Sequence, residues 1–180
     1  MRVIGGSSRG RRLKARLPAE VRPTSDRVRE AIFDILGSMG GVEGLGVVDL
    51  FCGSGALGVE ALSRGAASVS FVDDDAAALG AVRANLTAVG LADARVTVVK
   101  ATLPGWLQGR RRYDLALCDP PYAFDGWAAL LSGLDADVAV LESAQELAVP
   151  EPWVVARSRR YGGTLVTVAR PSPAPAAAGS

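Results

Sequence analysis

The sequence predicts an α/β fold built on a mostly parallel, doubly wound sheet. From residue 47 onward, short runs of aliphatic residues alternate with segments of helical periodicity, and the strands recur about every 20–25 residues. A connection of that length holds a crossover helix, which joins parallel strands. The 180 residues, of which 49% are hydrophobic, suffice for one such domain with a short extension.

The first 22 residues predict a β-hairpin that precedes the sheet. Arg2–Gly6 has the composition of a short strand that runs into a glycine turn, and Arg12–Leu17 alternates polar and apolar residues as a return strand. The loop between them is rich in glycine and arginine, and Pro18 ends the hairpin. We therefore expect a basic hairpin over residues 1–22, here called the basic arm.

Residues 23–170 are predicted to form the main domain. Thr24 or Ser25 can cap a first helix, whose apolar positions from Val28 to Met39 follow helical spacing until Gly40. The further strands are expected at Val47–Phe51, Ser68–Val72, Arg95–Val99, Asp114–Cys118, Asp137–Leu141, Trp153–Ala156 and Thr164–Ala169, the last two as an antiparallel pair. The further helices are expected at Ala56–Arg64, Asp75–Val89 and Trp127–Leu134. Residues 171–180, rich in Pro, Ala, Ser and Gly, are expected to be a disordered tail.

Composition limits the chemistry that the chain can perform. Histidine is absent, so the chain has no imidazole for acid–base catalysis, and we expect no metal site. The two cysteines, Cys52 and Cys118, are expected to be free buried thiols rather than a disulfide. No run of about 18 uncharged apolar residues occurs, and the N-terminus lacks the apolar segment of a secretory signal. We therefore expect a cytoplasmic protein.

Positive charge is concentrated in the first 30 residues. These contain nine Arg or Lys residues and three acids, a net charge of +6, whereas the other 150 residues carry −5. A basic segment on a mildly acidic domain indicates a polyanionic partner. The alternative is a solvated, flexible terminus.

A glycine-rich turn joins the first strand of the main domain to its helix. Gly53, Gly55 and Gly58 are spaced as GxGxxG, which allows a sharp turn, close approach of a ligand and close packing of the helix. Asp73 lies 20 residues after Gly53, at the end of the second strand, where an acid binds ribose hydroxyls. The pattern fits the adenosine of either NAD or S-adenosylmethionine.

Acidic residues beside this turn favour S-adenosylmethionine. Asp49 can contact a cationic amino-acid group, whereas it would repel the pyrophosphate of NAD. Asp75 is expected to cap the following helix, which leaves Asp73 and Asp74 for the cofactor. The residues expected to bind the cofactor are Asp49, Phe51, Cys52, Gly53, Ser54, Gly55, Asp73, Asp74 and Ala101.

The tetrapeptide Asp119-Pro120-Pro121-Tyr122 follows the fourth strand and is the predicted catalytic loop. Ligands of open α/β sheets bind at the carboxyl ends of the strands. The prolines have no N–H, so the loop offers acceptors: the Asp119 carboxylate and the Pro120 carbonyl. Two acceptors can hold both N–H groups of an exocyclic amino group and direct its nitrogen at a sulfonium methyl, and Asp119 stabilises the charge that develops. Tyr122 offers a ring for base stacking.

The chain carries five motifs in a fixed order: Arg2–Gly6, Arg9–Leu13, Arg22–Glu30, Asp49–Gly58 and Asp119–Tyr122. In this order they resemble the RsmD family of bacterial 16S rRNA guanine-N2 methyltransferases, over about residues 1–170. The resemblance implies a Rossmann-like class I methyltransferase fold, S-adenosylmethionine as donor, and N2 of guanine 966 (G966) in 16S rRNA of the assembling small subunit as target. The chain departs from the family at Cys52, where alanine is usual. It also lacks an acid after the third strand that binds adenine in many methyltransferases, and backbone groups near Ala101 are expected to replace it.

The resemblance assigns the basic arm to RNA, because phosphate contacts dominate affinity and the target base must be flipped out of folded RNA. The expected RNA-binding residues are Arg2, Arg9, Arg11, Arg12, Arg22 and Arg27. Arg29 is expected either to contact RNA or to pair with acids of its own helix. Two other functions stay open: an NAD-dependent oxidoreductase, from the glycine pattern, and a non-catalytic RNA-binding module, from the basic arm. We expect a monomer.

Overall fold

A computed structural model of the chain describes residues 1–14, 25–93, 95–109 and 111–173. The strands are β1 (Gly46–Leu50), β2 (Ser68–Asp73), β3 (Val96–Lys100), β4 (Arg112–Cys118), β5 (Asp135–Ser143), β6 (Trp153–Tyr161) and β7 (Thr164–Pro171). The α-helices are α1 (Asp26–Gly37), α2 (Ala56–Ser63), α3 (Ala76–Val89) and α4 (Trp127–Gly133), and a 3₁₀ helix spans Gly105–Gly109. The predicted α/β class with a seven-stranded sheet is confirmed.

The sheet has the strand order β3-β2-β1-β4-β5-β7-β6. The first five strands of this order are parallel, β7 is antiparallel to β5, and β6 is antiparallel to β7. The carboxyl ends of β1 to β5 therefore lie together at one end of the sheet, here called the carboxyl edge. The other end is called the amino edge.

Helices cover both faces of the sheet. The apolar residues of α1, α2 and α3 form one buried cluster with alternate residues of the strands, and α4 and the 3₁₀ helix form the other. β1 shows why: Val47 belongs to the first cluster and Val48 to the second, because successive side chains of a strand point to opposite faces. Strands buried on both faces are typical of parallel sheets.

The element boundaries differ from the sequence prediction mostly by one or two residues, with larger or notable differences at α1, β5 and β6. α1 begins after Ser25, whose hydroxyl accepts from the Val28 N–H as expected, but it ends at Gly37 rather than at Gly40. β5 extends to Ser143 and β6 to Tyr161, because β7 supplies backbone partners up to both of these residues. The 3₁₀ helix was not predicted from the sequence.

The N-terminal segment folds back on itself, but the described part is not a two-stranded ladder. Arg2 and Arg12 form a single antiparallel bridge. The Val3 N–H donates to the Arg11 carbonyl (3.0 Å), and the Gly10 N–H donates to the Val3 carbonyl (2.8 Å). Residues 15–22 of the expected hairpin and 174–180 of the expected tail lie outside the described residues, as do residues 23 and 24.

Candidate active site

The glycine turn and the proline loop meet at the carboxyl edge. β1 and β4 are neighbours in register, so that Leu50 pairs with Cys118 and the loops that follow start side by side. Their aromatic rings are in contact: the centroids of Phe51 and Phe124 lie 4.9 Å apart, and Phe124 lies 5.3 Å from Trp127. The two loops that the sequence predicts as the donor site and the catalytic site are therefore adjacent.

The backbone of the first loop is held in an unusual conformation. Phe51 has φ of +56°, in the left-handed region that side chains rarely adopt, and Gly53 and Gly55 follow at +52° and +76°. The Gly55 N–H closes the turn on the Cys52 carbonyl (2.7 Å). The role of Phe51 as the ring that links the two loops was not predicted from the sequence.

Asn85 is a further residue that the sequence prediction missed. Its amide donates to the Ser54 carbonyl (3.0 Å), and the side chain is fully buried in α3. The signal in the sequence is its position: it follows Val82 by three residues and precedes Val89 by four, on the buried face of the helix. A polar residue there needs a buried partner.

Gly58 lets α2 approach the sheet closely, as predicted. A Cβ atom at this position would lie 2.3 Å from Cε1 of Phe71 on β2. The Gly58 N–H also donates to Oδ2 of Asp49 (2.9 Å). The third glycine of the pattern is thus a packing residue that also holds the first acid.

Asp49 is a buried carboxyl group next to two others. Its side chain is 1% exposed. Burial raises its pKa well above the ordinary 3.8. The hydrogen bond from the Gly58 N–H lowers the pKa in part, and the charges of Asp119 and Asp73 raise it further. Three carboxyl groups from three neighbouring strands are therefore close enough to interact.

The three acids at the end of β2 and just after it, Asp73 to Asp75, have different partners. Asp73 accepts from the Gly53 N–H (2.9 Å) and from the Asp75 N–H (3.0 Å), so it ties the glycine turn to the second loop. Asp75 caps α3 by accepting from the Ala77 N–H (2.8 Å), as expected. Asp74 is exposed.

Ala101 lies beside this group, at the end of β3. Its N–H donates to the Asp73 carbonyl (3.0 Å), which continues the sheet ladder. That amide is therefore engaged, and an adenine contact from Ala101 is left to its carbonyl or methyl group.

The proline loop is partly buried and partly open. Asp119 is half-buried, Pro120 is buried and Pro121 is exposed. The Pro121 carbonyl accepts from the Phe124 N–H (2.8 Å), which folds the loop into a turn. Tyr122 is 58% exposed, so its ring is accessible to a ligand.

Both cysteines are free and buried, as expected. Burial raises the pKa of the Cys52 and Cys118 thiols, and the neighbouring Asp49 charge raises both further. Neither thiol is ionised at neutral pH, so neither acts as a nucleophile.

The basic arm is anchored to a buried ion pair. Glu60 on α2, 1% exposed, accepts from the Ile4 N–H (2.8 Å) and the Gly5 N–H (2.7 Å). Arg29 on α1, fully buried, lies 3.7 Å from Glu60, pairs with Asp26 at 3.1 Å and donates to the Arg2 carbonyl. Of the two roles expected for Arg29, pairing with acids is therefore the one observed.

The loop of the arm lies at the amino edge. Ser8 donates its N–H to the Ser63 hydroxyl (2.9 Å), and the Arg11 guanidinium donates to the Val89 carbonyl (2.7 Å). Ser63 and Val89 are the last residues of α2 and α3, which run from the carboxyl edge to the amino edge. Arg9 and Arg12 are exposed there or nearby.

Arg27 lies at the other end of the molecule. Arg29 faces Glu60, and the Arg64 guanidinium lies 4.9 Å from the Phe33 ring, so α1 and α2 run in the same direction. The first turn of α1, with the exposed Arg27, is therefore level with the start of α2 at the carboxyl edge. Arg22 lies outside the described residues.

Comparison with known proteins identifies the family. A family model described as "Conserved hypothetical protein 95" matches residues 1–170. The chain is 30% identical over 174 residues to the Haemophilus influenzae "Ribosomal RNA small subunit methyltransferase D", with 90% of this chain and 89% of the relative covered. The chain belongs to the RsmD family. The family resemblance that the motifs carried is thereby confirmed.

Other RsmD relatives match nearly the whole chain. The Bacillus subtilis protein YlbH is 37% identical over 182 residues, which cover 93% of this chain and 97% of the relative. The solved structure of Escherichia coli YhhF superposes with a TM-score of 0.80 at 30% identity and covers 95% and 97% of the two chains. The class I methyltransferase fold is shared more widely, with Synechocystis magnesium protoporphyrin IX methyltransferase at a TM-score of 0.66 and 20% identity.

Proposed function

We propose that this RsmD-family protein transfers a methyl group from S-adenosylmethionine to the exocyclic N2 of a guanine, G966, in 16S rRNA of the assembling small subunit. S-adenosylmethionine is the cofactor, and methylation of rRNA is the activity of the family. The base, the nitrogen and the assembling particle are the proposed part. The observation that carries it is the meeting of Asp119 with the glycine turn at the carboxyl edge.

The carboxyl groups of the site suit a cationic ligand. Asp73 accepts from the Gly53 N–H of the glycine turn, and the pKa of Asp49 is raised first by burial and then by repulsion from the charges of Asp119 and Asp73. A sulfonium and an ammonium group would relieve that repulsion, whereas the pyrophosphate of NAD would add to it. The residues therefore fit S-adenosylmethionine, and the NAD-dependent oxidoreductase is not supported.

The proline loop supplies what an amino group needs in order to react. When bound, S-adenosylmethionine supplies a methyl group activated by positive sulfur. The Asp119 carboxylate and the Pro120 carbonyl hold the two N–H groups, and Tyr122 stacks on the base. Asp119 stabilises the positive charge on the nitrogen, and the proton leaves to Asp119 or to water.

Two substitutions at Asp119 test this assignment. Asp119→Ala removes both acceptor and charge, and Asp119→Asn keeps one acceptor oxygen without the charge. We expect Asp119→Ala to lower kcat about 100- to 1,000-fold and Asp119→Asn to lower it less. Donor affinity, measured by calorimetry, should stay within about threefold. Loss of the Asp119 charge weakens the attraction for the cationic donor, but it also removes a charge that opposes ionisation of Asp49, so the two effects offset each other. Normal methylation by Asp119→Ala would show that the chemistry occurs elsewhere.

The basic arm tests the alternative of a non-catalytic RNA-binding module. Deleting residues 1–20 should abolish rRNA modification, but it also removes the amides that Glu60 holds, so loss of activity could reflect misfolding. Arg9→Gln with Arg12→Gln removes exposed charge alone. We expect weaker RNA binding and an unchanged melting temperature. RNA binding that is independent of the donor, with no methylated product from the wild type, would favour the non-catalytic module.

The target is tested by mass spectrometry of nucleosides from 16S rRNA, with and without this gene. Loss of N2-methylguanosine at G966 and its restoration by the protein supplied in trans would support the proposal. Its absence from 16S rRNA in both strains would refute it. We further propose that the protein works in the cytoplasm as a monomer. Within the described ranges no helix has the length and apolar character to cross a membrane.

A further inference from the structure

We propose that the distal half of β6 is a second phosphate-binding surface for the RNA substrate, three strands away from the catalytic loop in the same sheet. It consists of Arg157, Arg159 and Arg160, here called the β6 arginines. The inference rests on the proposed function, since it assigns a further contact to the same substrate. It was not foreseen from the sequence, where β6 was expected to end at Ala156.

The β6 arginines are cations without acidic partners. Trp153–Tyr161 contains no acid. Within the part of the chain that the structure describes, the Arg157 side chain contacts the Ser38 hydroxyl at 3.4 Å and that of Arg160 donates to the Ala144 carbonyl at 3.1 Å, whereas the Arg159 side chain has no hydrogen bond or ion pair. Several other arginines of the domain are paired with acids: Arg64 with Glu60, Arg95 with Asp93, and Arg112 with Asp135 and Asp137. Positive charge on β6 therefore faces solvent in a domain whose net charge is negative.

The strand places this charge at the carboxyl edge. Arg160 pairs with Leu165 of β7, and Leu165 pairs with Ser143 at the carboxyl end of β5. The turn at Gly162 and Gly163 therefore lies at the same end of the sheet as the proline loop. Arg159 and Arg160 therefore lie at the catalytic end of the sheet, unlike the loop of the arm. Arg157 pairs further down the strand, and its guanidinium reaches Ser38 at the end of α1.

The exposure of β6 suits a polyanion. β6 is the last strand of the sheet, and residues 154–160 are all exposed. Arg159 and Arg160 project to opposite faces, so their guanidinium groups straddle the edge of the sheet. Guanidinium groups bind phosphate oxygens with two parallel hydrogen bonds, which favours a phosphate backbone as the occupant.

Another explanation is that the arginines only prevent pairing of exposed strand edges. Charged side chains protect edge strands from association. That role predicts that neutral variants aggregate while RNA affinity per folded molecule stays unchanged. The two explanations are therefore separable by experiment.

The test compares Arg159→Gln/Arg160→Gln with the control Arg170→Gln. Arg170 is also exposed, but it pairs with Val154 at the far end of the same hairpin. The probes are a protein-free 16S rRNA fragment containing the target guanine and small-subunit particles lacking the methyl group. At 0.15 M salt we expect the KM and Kd for RNA to rise about 10- to 30-fold in the double variant, with kcat within about twofold.

The salt dependence gives an independent readout. The slope of log Kd against log salt should become shallower by about 1.4–1.8 in the double variant, because each phosphate contact contributes about 0.7–0.9. Arg170→Gln should leave the slope and the KM unchanged. Equal slopes for the wild type and the double variant would overturn the proposal, as would a loss of affinity confined to protein-containing particles, which would indicate a protein partner.

The design separates this proposal from the proposed function. If the wild type methylates particles but the double variant binds and reacts normally, only the β6 surface is wrong. The opposite result is that the wild type transfers no methyl group to RNA, while the double variant still binds RNA more weakly and with a shallower salt dependence. In that case the β6 surface is supported and the proposed function fails.

Discussion

Glu60→Gln should be among the most destabilising single substitutions in this protein. Glu60 is 1% exposed, and its carboxylate accepts from Ile4, Gly5 and Arg64 at 2.7–2.8 Å. It is also the buried anion next to the fully buried Arg29, whose other acid, Asp26, is 62% exposed. Glutamine keeps the shape and one acceptor oxygen but removes the charge and turns an N–H₂ group toward one of the backbone donors.

The magnitude follows from the burial of the pair. Removing one member of a buried ion pair costs about 3–5 kcal/mol, because the other charge is left without compensation in the interior. For a domain of this size each kcal/mol lowers the melting temperature by about 2–4 °C, so we expect a fall of about 6–20 °C. Amide hydrogen exchange should accelerate at whichever of Ile4 and Gly5 faces the new N–H₂ group, since that backbone amide loses its acceptor.

The assay is urea denaturation of the wild type and four variants, of which the first is Glu60→Gln. Arg64→Gln is the matched control: it removes a 24% exposed arginine from the same carboxylate and should cost no more than about 1 kcal/mol. Arg29→Met and the double variant Arg29→Met/Glu60→Gln complete a cycle, in which the double variant should lose less stability than the sum of the singles. A loss below about 1 kcal/mol for Glu60→Gln would refute the reasoning.

Two further predictions concern the core of the donor site. Gly58→Ala should cost about 1–3 kcal/mol by urea denaturation, since its Cβ would meet the Phe71 ring at 2.3 Å, whereas Gly80→Ala has open space and should stabilise α3 by about 0.5–1 kcal/mol; equal effects would contradict the packing argument. Asp49→Asn should be more stable than the wild type at neutral pH. Because the folded-state pKa of Asp49 is raised, the unfolded chain loses its proton first, and the wild type loses stability relative to the variant as pH rises above 3.8. A stability difference independent of pH would exclude this titration. The wild type should also bind S-adenosylmethionine more tightly as pH rises through the raised pKa of Asp49, since the ionised carboxylate attracts the cationic donor. Calorimetry at several pH values would show no trend in affinity if Asp49 and the donor do not interact.

The meeting of the two loops could be predicted from the sequence because it depends on topology. Parallel strands joined by helices bring their carboxyl ends to one edge, so acids after the first and fourth strands had to share it. Ser25 as a helix cap and Asp75 as another were predicted for a similar reason, since each acts within a few residues of chain.

The anchoring of the arm could not be predicted in this way. Glu60 lies between Val59 and Ala61 in an ordinary helical pattern, and its partners Ile4 and Gly5 are 56 and 55 residues away. Local spacing carries no signal for a contact of that separation. Arg29 shows the same difficulty, because an arginine in a basic segment has the composition of a surface residue whether or not it is buried.

The length of β6 was underestimated because its second half lacks the signal that marks strands. Alternation of apolar and polar residues reports a strand with one buried face, and residues 154–160 have none. The strand persists because Arg157 to Tyr161 pair through the backbone with β7. Pairing of this kind depends on the neighbouring strand rather than on the side chains.

The arm's arginine loop and the proline loop lie at opposite edges of the sheet, which are separated by the length of α3, a helix of 14 residues and so roughly 20 Å long. A nucleoside or a trinucleotide can fill the pocket but is too short to reach from there to Arg9. Discrimination between the correct guanine and the thousands of others in a cell would then depend on the three-dimensional shape of the surrounding RNA, which must contact the arm while the guanine lies in the pocket. Fragments cut below that span should lose recognition abruptly rather than by degrees.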